Sequence, residues 1–252
     1  MLSLVAEPKE ILVLSQAQNL QEITTEICKN TPINDAQYTL RDTRDGKTYT
    51  VAKLKDGNCW MTKNLALSLN NITLTPENSN VQSNWTPNIS PSDPWNDSAS
   101  QILKYHNGAG TSGYKSEFGY YYTWCAATAD SCKTATSSNS VASSSICPKG
   151  WHLPTNASNG SYANLFKAYG TINGLMAGDQ DVLTPPLSFT RAGRVYNNAV
   201  NNLNGFGIYW TATARDSSRA YALRLDNNIS PSYYDAIYWH YGMSMRCVVL
   251  GS

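Results

Sequence analysis

The sequence predicts an α+β fold with two helices, short antiparallel strands and long loops, and three features carry that expectation. Helical periodicity appears in only two places, Ser15–Lys29 and Ser161–Tyr169. Runs rich in β-branched and aromatic residues are short and are punctuated by Asn, Gly, Ser and Asp-Gly turns. From Leu67 to Gly113 the chain is dominated by Asn, Ser, Thr and Pro, the composition of long surface loops.

Each element has a local reason. Leu20, Ile23, Ile27 and Cys28 share one face of a 3.6-residue period, so Ser15–Lys29 is expected to form an amphipathic helix. Tyr38-Thr39-Leu40 and Thr48-Tyr49-Thr50-Val51-Ala52 flank Thr43-Arg44-Asp45-Gly46, which predicts a hairpin. Asp56-Gly57-Asn58 makes a second turn before Cys59-Trp60-Met61. Gly119-Tyr120-Tyr121-Tyr122-Thr123-Trp124 has strand composition. The second helix starts at Gly160-Ser161, buries Tyr162, Leu165 and Phe166, and stops at Gly170. Beyond Gly193 the expected strands are Gly207–Thr213, Ala220–Leu225, Ala236–His240 and Ser244–Leu250. Residues 1–37 are expected to be a helical extension and residues 38–252 a single domain.

Composition narrows the function. Charged residues make up 15% of the chain, and the net charge is +1 with no basic run, which argues against an electrostatic nucleic-acid footprint. No stretch approaches the roughly 20 apolar residues of a membrane-spanning helix. Met1–Asn19 has no basic start and is broken by Glu7, Pro8, Lys9 and Glu10, so it does not read as a signal peptide. Tyr and Trp number 16 and 7 against 4 Phe, a balance suited to surfaces that are partly wet and still grip.

Six cysteines allow 15 disulfide connectivities. Cys125–Cys132 would close a short loop. Cys147–Cys247 would join two phrases about a hundred residues apart, Ile146-Cys147-Pro148-Lys149-Gly150-Trp151-His152-Leu153-Pro154 and Ser244-Met245-Arg246-Cys247-Val248. Cys28–Cys59 follows by elimination. Such bridges imply an oxidising compartment, hence a cell-surface or extracellular protein; the alternative is six buried thiols in the cytosol. No Cys-x-x-Cys occurs and His106, His152 and His240 are scattered, so neither a zinc site nor any cofactor is expected.

Residues 38–252 resemble the Fibrobacter succinogenes major paralogous domain, a family of bacterial surface and secreted modules. The resemblance rests on Asp56-Gly57-Asn58-Cys59-Trp60-Met61-Thr62-Lys63-Asn64-Leu65, on Gly119–Trp124, on Cys147–Pro154 and on Ser244–Val248. It implies a C-type-lectin-like fold whose N- and C-terminal strands pair and whose last cysteine is tied into the core. The segment with Cys28 departs from the common family form. Trp95-Asn96-Asp97 copies a tripeptide of calcium-dependent lectins, but no Glu-Pro-Asn or Gln-Pro-Asp partner triplet occurs, so calcium ligation is not expected.

The same fold scaffolds the variable proteins of diversity-generating retroelements, which mutate adenines in a C-terminal stretch. An AAC or AAT codon mutated this way yields Tyr, Asn, Ser, Asp, His, Gly, Arg and others, and cannot yield Lys, Glu, Gln, Trp or Met. Residues 168–252 hold no Lys and no Glu, whereas the first 167 hold 11 and 6. A uniform rate would place roughly nine in the later segment. The expected ligand-binding residues are Tyr196, Asn198, Asn201, Asn202, Arg215, Ser217, Ser218, Asn227, Asn228, Ser232, Tyr233, Tyr234, Asp235, Tyr238 and His240. Trp210, Trp239, Met243 and Met245 would be frame residues, and Trp60, Trp124 and Trp151 core. The partner expected is a protein or glycan on another cell or surface. An invariant adhesin or lectin of the same fold would also be poor in Lys and Glu and rich in Tyr and Arg.

Catalysis is not expected. Formylglycine-generating enzymes share the superfamily but need two reactive cysteines in the C-terminal part of the fold, and here only Cys247 follows Cys147. There is no Gly-x-Ser-x-Gly elbow and no P-loop lysine after Gly108-Ala109-Gly110.

Overall fold

The computed structural model describes residues 12–34, 36–89, 95, 101–170, 182–225 and 232–251, with the backbone alone for 232–235. Its architecture is α+β, with short helices and several antiparallel sheets. The predicted hairpin forms as β1 (Tyr38–Arg41) and β2 (Thr48–Lys53), with Leu40 opposite Tyr49. β3 (Cys59–Met61) adds to β2, and the C-terminal β11 (Val248–Val249) adds to β3, so the sheet order is β1-β2-β3-β11. The C-terminal strand therefore joins the first sheet beside β3, not beside β1 as a direct pairing of the N- and C-terminal strands would require.

The segment ahead of β1 corrects one expectation. Instead of a helix over Ser15–Lys29 there are 3-10 turns at Leu14–Gln16 and Leu20–Glu22 and then α1 (Thr25–Asn30). The reason lies in where the backbone carbonyls point. Gln18 O accepts from Arg41 N at 2.9 Å and Leu20 O accepts from the Trp151 indole at 2.7 Å, so neither serves a helical i+4 bond. Thr24 is extended and caps α1, its hydroxyl accepting from Ile27 N at 3.2 Å. The predicted apolar face nonetheless points inward: Leu20, Ile23, Ile27 and Cys28 are all buried in the main core.

Tertiary pairing also trims the Gly119–Trp124 expectation. Only β5 (Tyr121–Tyr122) is strand, paired with β4 (Tyr105–His106). Thr123 then caps α2 (Trp124–Ala127), which turns Trp124 into the core. The second helix forms as expected, α3 (Ser161–Ala168), followed by Gly170 at φ 84°. Next come the hairpin β6 (Arg194–Tyr196) with β7 (Ala199–Asn201), and a sheet of β8 (Gly207–Ala214), β9 (Arg219–Leu225) and β10 (Ser232–Tyr238) in the order β10-β9-β8.

The segment expected as one strand over Ser244–Leu250 instead laces the separate sheets together. Gly242 pairs with Val195, Met243 with Tyr122 and Ser244 with Tyr209, before β11 pairs with β3. Leu65 N donates to Met245 O and Met61 N to Cys247 O, both at 3.0 Å. A strand committed to one neighbour could not reach all of these. Met243, Ser244, Met245 and Cys247 have no exposed surface.

Three disulfides form, Cys28–Cys59, Cys125–Cys132 and Cys147–Cys247, matching the pairing expected from the sequence. Two buried cations reinforce the frame. Arg44 forms a 2.6 Å ion pair with Asp42 and donates to Ile146 O at 2.7 Å, beside Cys147. Burial would push the Asp42 carboxyl up, but the Arg44 guanidinium outweighs it and holds the group below the usual carboxylate range. Arg246 is 1% exposed; it donates to Asn64 Oδ1 at 2.9 Å and to the carbonyls of Leu187 and Ser188, with its guanidinium 4.1 Å from the Phe189 ring centre. Trp60, Trp124, Trp151, Trp210 and Trp239 are buried, as the framework reading requires.

Candidate recognition face

Between the β6–β7 hairpin and β10 the fold assembles a band of aromatic rings and arginines. The hairpin turn is the two residues Asn197-Asn198, at φ 50° and 61°, because Tyr196 pairs directly with Ala199. A turn with two positive φ values favours Asn or Gly, so these asparagines have a backbone role. Asn202 and Asn204 occupy the same left-handed region at 58° and 63°. Asn201 is also engaged internally, its amide donating to Tyr196 O at 3.0 Å and Ala199 O at 2.8 Å. The hairpin rests on a small cluster of Trp95, Phe118, Tyr121, Ala192 and Val195.

Alternation along β6 sends Val195 into that cluster and leaves Arg194 and Tyr196 on the other face. Arg194 lies over three rings, with its guanidinium carbon 5.1 Å from the centre of Tyr241, 5.7 Å from Phe206 and 6.0 Å from Tyr196. Arg224 approaches Phe206 at 5.4 Å. Tyr196 and Tyr241 meet at 4.8 Å, and Tyr241 continues to His240 at 4.6 Å and Tyr238 at 6.1 Å. Tyr238 is 44% exposed and lies 5.9 Å from the Arg219 guanidinium. Rings packed this way keep their area while losing freedom in advance, which lowers the cost of binding.

The band ends at the turn between β8 and β9. Asp216 Oδ1 accepts from Ser218 N, Ser218 Oγ and Arg219 N, each at 2.9 Å, and Oδ2 pairs with Arg219 at 2.7 Å. Slight burial would raise this carboxyl, but the Ser218 and Arg219 donors outweigh it and bring it down to about 2. Arg215 and Ser217 stand exposed at the tip, while Ser218 is half-buried and its carbonyl accepts from Trp239 N at 2.9 Å.

The predicted residues therefore divide. Asn198, Asn202, Arg215, Ser217 and Tyr238 reach the surface, and Tyr196, Asn201 and Ser218 do so partly. His240 does not: it is 1% exposed, wedged edge-on against Tyr241, so it supports the band from beneath. Ser232 and Asp235 are placed by backbone register opposite Arg224 and Ala222, and Tyr233 and Tyr234 fall at the irregularity between them. Asn227 and Asn228 lie outside the described residues, as do Asn96 and Asp97. Arg194 and Phe206 belong to the band without having been expected there, whereas Tyr241, interleaved with Asn, Ser and Asp in sequence, is one of the tyrosines expected to be available for stacking. For Arg194 the signal was available, since in Arg-Val-Tyr the first and third residues share a strand face.

No protein-family model matches the chain, and neither curated proteins nor solved structures yield a match. Among the described residues no helix is long and apolar enough to cross a membrane.

Proposed function

We propose that this protein is a recognition module with a C-type-lectin-like scaffold, working at the cell surface or outside the cell, and that its C-terminal half displays a diversified ligand-binding face. The observation that carries the reading is the way chemistry partitions with depth. Trp210, Trp239, Met243 and Met245, which adenine mutation of Asn codons cannot produce, all have no exposed surface. Asn198, Asn202, Arg215, Ser217 and Tyr238, which it can produce, are exposed in the same segment. The pairing of β11 with the N-terminal sheet and the Cys147–Cys247 bridge support the scaffold assignment. Three disulfides support the location.

The mode of action is binding rather than catalysis. All six cysteines are paired, which supports a structural role for them over the thiol chemistry of formylglycine-generating enzymes. A protein or glycan on another surface would lie across stacked tyrosines and be oriented by the arginine forks of Arg194, Arg215 and Arg219. Deep sequencing of this gene across its source population tests the reading. Substitutions clustered in residues 196–241, at adenines of Asn-type codons, are expected. A uniform low rate along the chain would leave a fixed adhesin or lectin instead.

A further inference from the structure

A second concavity lies away from the band, in the part of the chain that holds all the lysines. It has a volume of about 500 Å³ and sits between the β1–β2 turn, the loop after β3 and the loop leading to β5. That volume falls within the roughly 300–1,000 Å³ of small-ligand sites. Its lining includes Lys47, Lys63, Thr48, Asn107, Ser116 and Tyr120, and among the described residues no carboxylate lines it, although Asp45 stands behind Lys47.

The two ammonium groups are held in place by the walls. Lys47 Nζ donates to Ala66 O at 2.5 Å, stands 3.1 Å from the Asp45 carboxylate and lies 4.7 Å over the Tyr120 ring centre. Its charge is thus partly offset. Lys63 Nζ lies 5.8 Å from the Tyr49 ring centre and has a weak contact to Thr48 O at 3.3 Å. An ammonium carries three donors, so Lys63 keeps capacity for an anion entering the groove. Around it, the hydroxyls of Thr48 and Ser116 and the amide of Asn107 offer the donors and acceptors that ring hydroxyls require.

We propose that this groove binds a carboxylated saccharide of the uronate type, with Lys63 as the principal partner of the carboxylate and Lys47 as the second. A neutral sugar would leave the Lys63 ammonium facing it without an anion, whereas Lys47 already has the Asp45 carboxylate at 3.1 Å. The site is independent of whether the other face is diversified, since none of its residues lies beyond residue 120.

The test uses the full chain and a galacturonate trisaccharide, titrated by calorimetry and by NMR, with the neutral galactose trisaccharide as control. Saturable uronate binding is expected, weakening with added salt, with the neutral sugar at least roughly tenfold poorer. Lys63→Gln should lower affinity roughly tenfold, the loss of one charge-assisted contact. Ser116→Trp, at an exposed position on the rim, should block entry and serves as the second variant if Lys63→Gln disturbs folding. Lys149→Gln, an exposed lysine outside both the groove and the band, should leave uronate affinity unchanged. No saturable uronate binding at millimolar concentration would overturn the proposal. So would equal binding of the neutral sugar, or binding that survives both groove variants.

Discussion

Between Tyr238 and Gly242 the chain passes from the band of rings and arginines into the frame, and the two regions solve different problems with neighbouring residues. Tyr238 is 44% exposed and touches Arg219, while Trp239 next to it has no exposed surface and stacks on Trp124 at 4.8 Å. β10 ends at Tyr238 and the chain turns inward at Trp239, whose N–H donates to Ser218 O, so one short stretch serves both regions. The frame is held by covalent bridges, a buried ion pair and a terminal segment hydrogen-bonded to several sheets. The band is held by ring contacts and turns, each of small individual worth. A surface built this way can change residues without endangering the fold beneath it.

The sharpest way to break the contrast is to remove frame elements. Replacing Cys147 and Cys247 by Ser opens a loop of sequence separation 100 and should cost about 4–5 kcal/mol by the chain-entropy account, read by denaturant unfolding. Opening Cys125–Cys132, with separation 7, should cost only about 2 kcal/mol by the same account. If the two losses prove equal, loop closure is not what these bridges contribute.

Arg44→Met leaves the Asp42 carboxylate buried without its partner and should destabilise by about 3–5 kcal/mol. Because the pairing depresses Asp42, its contribution is present above the unfolded carboxylate range and fades as pH falls through the lower folded value. The wild type should therefore lose stability in acid more steeply than Asp42→Asn/Arg44→Met, in melts recorded from neutral to low pH.

The neighbouring pair tests the division most directly. Trp239→Ala should cost about 3–5 kcal/mol through the cavity it leaves, whereas Tyr238→Ala should change stability by less than about 0.5 kcal/mol. Against a ligand of the band the order reverses: Tyr238→Ala should weaken binding by about 2 kcal/mol if it is an anchor. Comparable melting losses for both variants would dissolve the distinction between frame and face.

The smallest effects belong to the turns. Asn197, Asn198, Asn202 and Asn204 sit at positive φ, so population variants there should be limited mainly to Asn, Asp and Gly, with Tyr rare. Tyr196, Arg215 and Ser217 should vary more freely. In the β8–β9 turn, an NMR titration of Asp216 should find its midpoint near about 2, and the Arg219 signals should move with it. A midpoint near 3.8 would mean that the turn hydrogen bonds do not persist in solution.

Local chemistry determined a good deal of this protein without help. The Asp-Gly hairpin, α3 with its terminal Gly170, the strands β8 and β9, the short Cys125–Cys132 loop and the inward tryptophans are all legible from residue pattern, because each depends on near neighbours or on simple burial. The composition break at residue 168 marked the last third of the chain, which carries the band. Tertiary structure decided the rest. The expected first helix is broken because its carbonyls are claimed by Arg41 and Trp151, and the expected last strand is divided among several sheets. His240, which has the composition of a ligand residue, is buried because the chain at that point dives beneath Tyr241. The band itself joins residues from 194 to 241, and the lysine groove joins residues from 46 to 120. Sequence pattern reports which face of an element a residue takes, but only the packing of elements against one another determines which faces meet.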